Sequence, residues 1–497
     1  VWGASIPGSP YIHIGHNRWI AWGITAAVCD DVELYREKIH RIDPNLYLAG
    51  QSWLPMEIRR ETIGVRGTRS IQRNIRLTRH GPVISDFEPP LSRPAEVVAY
   101  RWTAHAPSTE LRCLYGVNCA SDWRGFLDSL SDQSAPTLNY VYADQEGNIG
   151  YTLAGKVPLR LEAPSLLPVE GWSANDEWRY IPFDELPRLY NPPEGIIASA
   201  NNRIADASYP YYLSLLYEPP FRIRRIHELL GAKEHLSLED MARMQMDSLS
   251  LHAKALTDAL KLDLQSTPAD EPVVAEASDR LTRWNGQCEA SSVEAAIFHV
   301  FHHRLMANLL IPVLGEELFQ TYVEIFNQCI SPVDKILSEP DSPWFTPQAR
   351  NKLVARSLRE ACSELKEALG DSPSSWEWGR IHKLLLSHAL GRLKILRPLL
   401  SIGPFPTPGD GMTLNIGFYR HSNPYDQIVG ASLRMIIDVG SWGGSGFVLP
   451  AGQSGHFRSP HYRDQTALWR SGQRLRLFLD ESQEISLPCL TLEPLRA

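Results

Sequence analysis

The feature that most constrains the fold is a change of period along the chain. From Val1 to about Pro193 the residues follow the alternation and turn punctuation of strands. From about Arg222 to Leu399 the apolar residues recur at helical spacing, and from Asn415 strand-like segments return. Strands, then helices, then strands predict an α+β fold with antiparallel pairing, not a helical bundle or an alternating β-α winding. Arg73–His80 alternates and breaks at Gly81-Pro82, and Val97–Thr103 is rich in β-branched and aromatic residues. Leu138–Ala143 and Asn148–Leu153 flank Asp144-Gln145-Glu146-Gly147, which predicts a hairpin. Ser237 with Asp240 predicts a capped helix start, and Leu353–Leu369 and Ile381–Leu400 read as helices. Met435–Val439 and Arg474–Leu479 read as strands, with the two ends of the chain sharing one sheet. No repeat or low-complexity linker interrupts the pattern. Residues 1–497 therefore read as one large domain, strand-rich over 1–221, helical over 222–400 and strand-rich again over 401–497.

With 497 residues, 43% of them hydrophobic, the chain can bury a large core. Its 49 Lys and Arg against 57 Asp and Glu, with no dense basic run, exclude the positive footprint of a nucleic-acid binder. No apolar run reads as a bilayer span, so the expectation is a soluble chain with no membrane partner. Cys29, Cys113, Cys119, Cys288, Cys329, Cys362 and Cys489 are scattered and form no close pair typical of a zinc or redox motif. The chain opens at Val1 within a strand-like segment, which leads to the expectation of a processed chain or a fragment.

Common catalytic signatures are missing. No G-x-S-x-G elbow occurs, since Gly443–Gly446 and Gly452–Gly455 lack its spacing. Ser363-Glu364-Leu365-Lys366 fits S-x-x-K but lies in a charged helical stretch, and no phosphate-binding loop is present. His299, His302 and His303 share helical spacing without a carboxylate at the matching turn, and Phe298, Val300 and Phe301 make them read as a packed helix. His382 and His388 are six apart, on different sides of a helix. Two stretches carry more. Asp30-Asp31-Val32-Glu33 offers carboxylate and carbonyl oxygens that suit a hard cation, or a plain acidic strand end. Ala198-Ser199-Ala200-Asn201-Asn202-Arg203 is either a turn, which Asn favours, or a source of an amide donor for a developing oxyanion.

Taken in order, these pieces resemble the penicillin acylase (penicillin amidase) family of N-terminal-nucleophile hydrolases. The residues that carry the resemblance begin with Pro7-Gly8-Ser9-Pro10, Gly15-His16-Asn17, Ala21–Thr25 and Asp30–Tyr35. They continue through His80–Val83, Tyr142–Asp144, Gly147–Tyr151, Ala200–Arg203, Arg222 and Arg225-Ile226. Trp378-Gly379 with His382, Gly409-Asp410-Gly411, Gly452–Gly455 and Ser459–Gln465 complete the set, which covers nearly the whole chain.

The resemblance implies a four-layer αββα fold and an amidohydrolase cut from a precursor into a smaller and a larger chain. It implies that the larger chain starts with a serine nucleophile whose own α-amine is the base, and that Val1 lies some tens of residues beyond that serine. The chain by itself is then expected to be inactive. The rival expectation is a truncated or degenerate relative that acts only by binding. By resemblance, Asn201 supplies a side-chain oxyanion donor (Asn202 if the register shifts by one), Ala26 a backbone N–H donor, and Arg222 a group near the site. Val28 and Leu138 fall where the family lines its acyl pocket. Asp30, the Val32 carbonyl and Glu33 match a structural Ca²⁺ site. Two departures weaken that site: Glu33 stands for an aspartate, and no later aspartate is matched near Pro210–Leu213. No organic cofactor is implied. The partners implied are a small-molecule N-acyl amide substrate and the smaller chain of the same precursor. The location implied is periplasmic or secreted.

Overall fold

The structure, a computed structural model, describes residues 1–87, 96–160, 166–173, 178–268, 271–325, 327–339 and 342–476. The chain divides into two compact units, Val1–Tyr217 and Glu218–Ala497, close to the predicted change from strand to helix.

In the first unit the strands that matter are β1 (Trp2–Ala4), β2 (Ile14–His16), β3 (Ile20–Ala26), β4 (Val32–Lys38), β5 (Glu96–Trp102), β6 (Leu138–Asp144), β7 (Ile149–Ala154) and β8 (Arg188–Tyr190). Six of them form one antiparallel sheet in the order β1-β2-β3-β6-β7-β8. The predicted hairpin is β6–β7. Its turn is set by Asp144, whose Oδ1 accepts the backbone N–H groups of Glu146 and Asn148 at 3.0 and 2.9 Å. Alternation then decides which residues face which way. Trp22, Tyr140 and Tyr142 pack with Val117, Phe126 and Leu130 of α1 (Glu110–Cys119) and α2 (Trp123–Leu130). Gly150 is glycine because Trp123 lies against it, so that a Cβ there would meet the indole at 2.5 Å. The other face carries Thr25 opposite Asn139, and Leu153 in a second core with Ala27, Val157 and Leu213. Beside this sheet, β4 pairs antiparallel with β5, as the composition of Val97–Thr103 predicts.

The second unit is built on helices α3 (Phe221–Leu230), α4 (Leu238–Gln245), α5 (Leu251–Ala259), α6 (Pro272–Arg283), α7 (Val293–Leu314), α8 (Ile330–Ser338) and α9 (Pro347–Leu369). Ser237 and Asp240 make the predicted cap a reciprocal one, each side chain taking the other's backbone N–H. By length and composition α7 could cross a membrane, against the expectation that no run approaches this. In this fold it is the core helix, with Ile297, Phe298 and Leu305 fully buried against α6 and α9.

Two expectations fail here. Ile381–Leu400 is not a helix. A four-residue turn of helix, Trp378–Ile381, is followed by a strand, Lys383–Leu386, paired with Ile402–Pro406. The apolar run Leu384–Leu386 is short enough to serve either element, and beyond it only two single turns of helix form, Ala389–Arg392 and Arg397–Leu400, the second opened by Pro398 in its first turn. His382 and His388 therefore do not lie on one helix. Nor do the ends of the chain share a sheet among the described residues. Arg434–Ile436, Gly446–Val448 and Leu475–Arg476 make a separate sheet, because a three-residue strand is completed by its nearest neighbour in sequence. The expected strand Arg474–Leu479 lies outside the described residues beyond Arg476.

Candidate active site

The end of β3 is where two distant parts of the first unit meet. Asn201 adopts left-handed backbone, φ 60°, which asparagine tolerates, and its Nδ2 donates to the Ala26 carbonyl at 3.0 Å. The neighbouring Asn202 turns inward: its Oδ1 accepts the Ala200 N–H and its Nδ2 donates to the Arg203 carbonyl. Of the paired asparagines, Asn201 is therefore the one that reaches β3, and Asn202 holds the turn that presents it.

A buried polar network, which sequence reasoning missed, supports this junction. Asn139 shares its Nδ2 hydrogens among Thr25 Oγ1, the Ala26 carbonyl and Ser199 Oγ at 3.1, 3.3 and 3.3 Å. Tyr151 donates to Asn139 Oδ1 at 2.7 Å, and the Thr25 and Ser199 hydroxyls lie 2.6 Å apart. The Ala26 carbonyl thus takes two amides, which fixes the plane of its peptide. The signal available in the sequence was an asparagine near the start of a strand, at a position that alternation turns inward. Leu138 is the cross-strand neighbour of Ala26 and packs partly into the aromatic core under the sheet. Val28 has φ 55°, a rare conformation for a β-branched residue, and lines a cavity of about 300 Å³ with Leu34, Leu167, Tyr212 and Leu215. The adjacent Cys29 is no nucleophile at neutral pH, since burial pushes its thiol up to about 12.

The acidic loop lies on the rim of the same cavity. Its three expected calcium donors already face a cation, the guanidinium of Arg160. Arg160 Nη2 donates to the Val32 carbonyl at 2.9 Å and to the Asp30 carbonyl at 3.3 Å. Arg160 also pairs with the Glu33 carboxylate in close contact and with Asp30 Oδ1 at 3.4 Å. Burial pushes the Asp30 carboxyl up, while Arg160 and the Tyr212 hydroxyl pull it back. Burial also raises the Asp31 carboxyl. As it stands this donor set does not fit Ca²⁺, because the ion would have to displace a guanidinium that takes the same oxygens.

Arg222 belongs to the second unit, in the first turn of α3. It is largely buried and pairs with Glu218 at 3.6 Å. Burial lowers its guanidinium from the usual value, while the carboxylate acts in the opposite sense. Glu218 also accepts the side-chain amides of Asn327 and Gln328 at 2.8 and 3.2 Å, so one carboxylate anchors three groups.

This architecture of antiparallel sheet, flanking helices and a long helical segment is that of an N-terminal-nucleophile hydrolase. The fold is similar to that of a thermostable penicillin G acylase from Alcaligenes faecalis, with a TM-score of 0.71 and 22% identity over 98% of this chain and 91% of that one. The penicillin amidase family profile matches residues 1–485, and the chain belongs to that family. Its relatives include the acyl-homoserine lactone acylase QuiP of Pseudomonas aeruginosa, 30% identical over 95% of this chain and 60% of that protein. A penicillin acylase 2 proenzyme of Pseudomonas sp. is 32% identical over 94% of this chain and 60% of its own length. The chain thus spans about three fifths of the length of these relatives.

Proposed function

We propose that this chain is the larger part of a processed amidohydrolase that cleaves the amide between an acyl group and an amine, with penicillin-type amides or acyl-homoserine lactones as the substrate class. The serine nucleophile, with its own α-amine as base, belongs to the part of the relatives' length that this chain does not span. An amine with a pKa of about 8 can take the hydroxyl proton without a histidine. Attack on the amide carbon places negative charge on the carbonyl oxygen. The Asn201 amide and the Ala26 N–H stabilise that charge, and the Asn139 network holds both in place, so the donors need not reorganise as charge develops. The Asn201 Nδ2 carries two hydrogens, and its bond to the Ala26 carbonyl sets the direction of the other. Val28 and Leu138 border the acyl group. Arg160 performs the loop clamping that the resemblance assigns to calcium.

The observation that carries this reading is the Asn201–Ala26 hydrogen bond between two groups 175 positions apart in the sequence. The test is a full-length precursor assayed on a chromogenic phenylacetyl amide and on acyl-homoserine lactones of different chain length. Asn201→Ala is expected to lower kcat by about 10²–10³-fold on every substrate cleaved, with KM nearly unchanged. A variant that keeps full activity overturns the assignment. A precursor inactive on both substrate types leaves the rival, a protein that only binds.

A further inference from the structure

The helix α7 carries three histidines with no carboxylate at the matching turn of the sequence. The fold brings acids and a thiol from elsewhere. Cys288 stands in the loop before α7, and Asp410 in the loop after the strand Ile402–Pro406. The Gly409 N–H donates to the Cys288 carbonyl at 2.7 Å, which ties the two loops together. All three side chains, Cys288, His299 and Asp410, are buried. Cys288 Sγ lies 3.9 Å from His299 Nε2 and 3.8 Å from Asp410 Oδ2, and the latter two atoms are 3.6 Å apart. The centre of a triangle with those sides is about 2.2 Å from each corner, within about 0.1–0.2 Å of the lengths of zinc–sulfur, zinc–nitrogen and zinc–oxygen bonds.

Two of the three donors are also oriented from behind, as outer partners orient metal ligands. His299 Nδ1 is 3.1 Å from the Tyr419 hydroxyl, and Asp410 Oδ1 accepts the Met412 N–H at 2.7 Å, leaving Nε2 and Oδ2 to face Cys288. Beside them lies a small cavity of about 10 Å³, room for one water, lined by His299, Asp410, Tyr419, His421 and Asn327. Two buried atoms on that lining, His421 Nδ1 and Asn327 Oδ1, have no hydrogen-bond partner among the described residues. The neighbouring His252–Asp334–His302 group differs. Its nitrogen–oxygen distances of 2.7 and 3.0 Å are those of hydrogen-bonded ion pairs, shorter than the roughly 3.3 Å that separates two ligands of a tetrahedral zinc at about 2.0 Å.

We propose that Cys288, His299 and Asp410 form a buried site for a zinc-class divalent cation, with one water in the adjoining cavity as the fourth ligand. The mixture of sulfur, nitrogen and oxygen suits zinc and not calcium or magnesium. Thiolate and carboxylate together neutralise a dication, and a neutral site can be buried where a lone charge cannot. Binding displaces the thiol proton to solvent, so metal uptake releases one proton and strengthens as pH rises. The ion would staple the Cys288 and Asp410 loops to α7 in the core of the second unit.

The test uses the full-length protein, stripped with a chelator, reloaded with zinc or cobalt(II), and desalted. Elemental analysis is expected to give about one zinc per chain. Cobalt(II) is expected to show a near-ultraviolet thiolate charge-transfer band and intense tetrahedral visible bands. Cys288→Ser should abolish the charge-transfer band. His299→Gln, which keeps a polar group toward Tyr419, should weaken zinc binding by more than the roughly 10–100-fold that an outer-shell partner costs. Asp334→Asn should leave zinc content unchanged. Wild-type protein that retains less than about a tenth of an equivalent after loading overturns the site, as does a cobalt spectrum without the sulfur band. Should Cys288→Ser fail to fold, the wild-type cobalt spectrum and His299→Gln decide the question alone.

Discussion

Replacing Arg160 with methionine keeps most of the side chain's apolar stem and removes its charge, so it isolates what the guanidinium does. The Arg160 and Glu33 side chains are 13% and 14% exposed and Asp30 is 32% exposed, so one pair is nearly buried and the other partly screened. Removing one partner of a buried pair costs about 3–5 kcal/mol. The wetter Asp30 contact adds little beyond an ordinary surface pair. The expected loss is therefore about 2–4 kcal/mol, and it includes the carbonyls of Asp30 and Val32, which lose a donor. The variant also exposes two carboxylates and two carbonyls that a hard cation can share. With zinc present throughout, wild-type protein should melt at the same temperature without calcium and in millimolar calcium. Arg160→Met should melt several degrees lower without calcium and recover when it is added, by about 2.7 kcal/mol when the ion is at 100 times its Kd. The measurement is a thermal unfolding series on the full-length protein across calcium concentrations, at constant zinc. A wild-type midpoint that rises with calcium would show that calcium and not Arg160 clamps the loop, and an unchanged Arg160→Met would refute the energetic argument.

Other perturbations follow from the same structure. Asn139→Leu leaves the Tyr151 hydroxyl and the Thr25–Ser199 pair short of a partner, and should cost about 1–3 kcal/mol while lowering kcat more than it raises KM. Parallel melts and steady-state kinetics check this, and a variant of full activity would sink the positioning role. Phe298→Ala in α7 should cost about 3–5 kcal/mol, since its ring is fully buried in the second unit's core; urea unfolding gives the value. His303 and His382 are held neutral by burial, which lowers each from 6.5 to about 4. The unfolded chain binds protons there that the folded chain refuses. Stability is thus complete above about pH 6.5 and is lost as pH falls toward 4, by up to roughly 3 kcal/mol per histidine. His303→Gln should flatten the fall in urea midpoint between pH 7 and 5, and an unchanged slope would count against it.

What the sequence made legible was what local chemistry decides. The Asp144–Gly147 turn and the Ser237 cap are specified within four residues of chain, and both form as their side chains require. The order of strands and helices was readable because period is a property of neighbours. What escaped was set by partners far away. Nothing near α7 announces that Asp410 and Cys288 will lie beside His299, nor does the acidic stretch at Asp30–Glu33 announce Arg160. Asn139 looked like a polar residue in a strand until its register opposite Thr25 gave it three acceptors. Ile381–Leu400 failed for a related reason, since only the pairing of Lys383–Leu386 with Ile402–Pro406 turns that apolar run into a strand.

Val28 holds its left-handed backbone without the freedom of a glycine or the local bonding of an asparagine. A branched side chain in that conformation carries strain of about 1–2 kcal/mol. For anyone redesigning the cavity it borders, this couples two properties that are usually varied separately. Glycine at position 28 would relax the chain and enlarge the cavity together. Isoleucine or phenylalanine would reshape the wall while keeping the strain, and the loop from Cys29 to Glu33 would absorb what the wall does not. A saturation library at this position will therefore sort partly by backbone comfort. Selection for a new cavity shape there should be made in a background stabilised elsewhere, so that size preference can be read apart from folding yield.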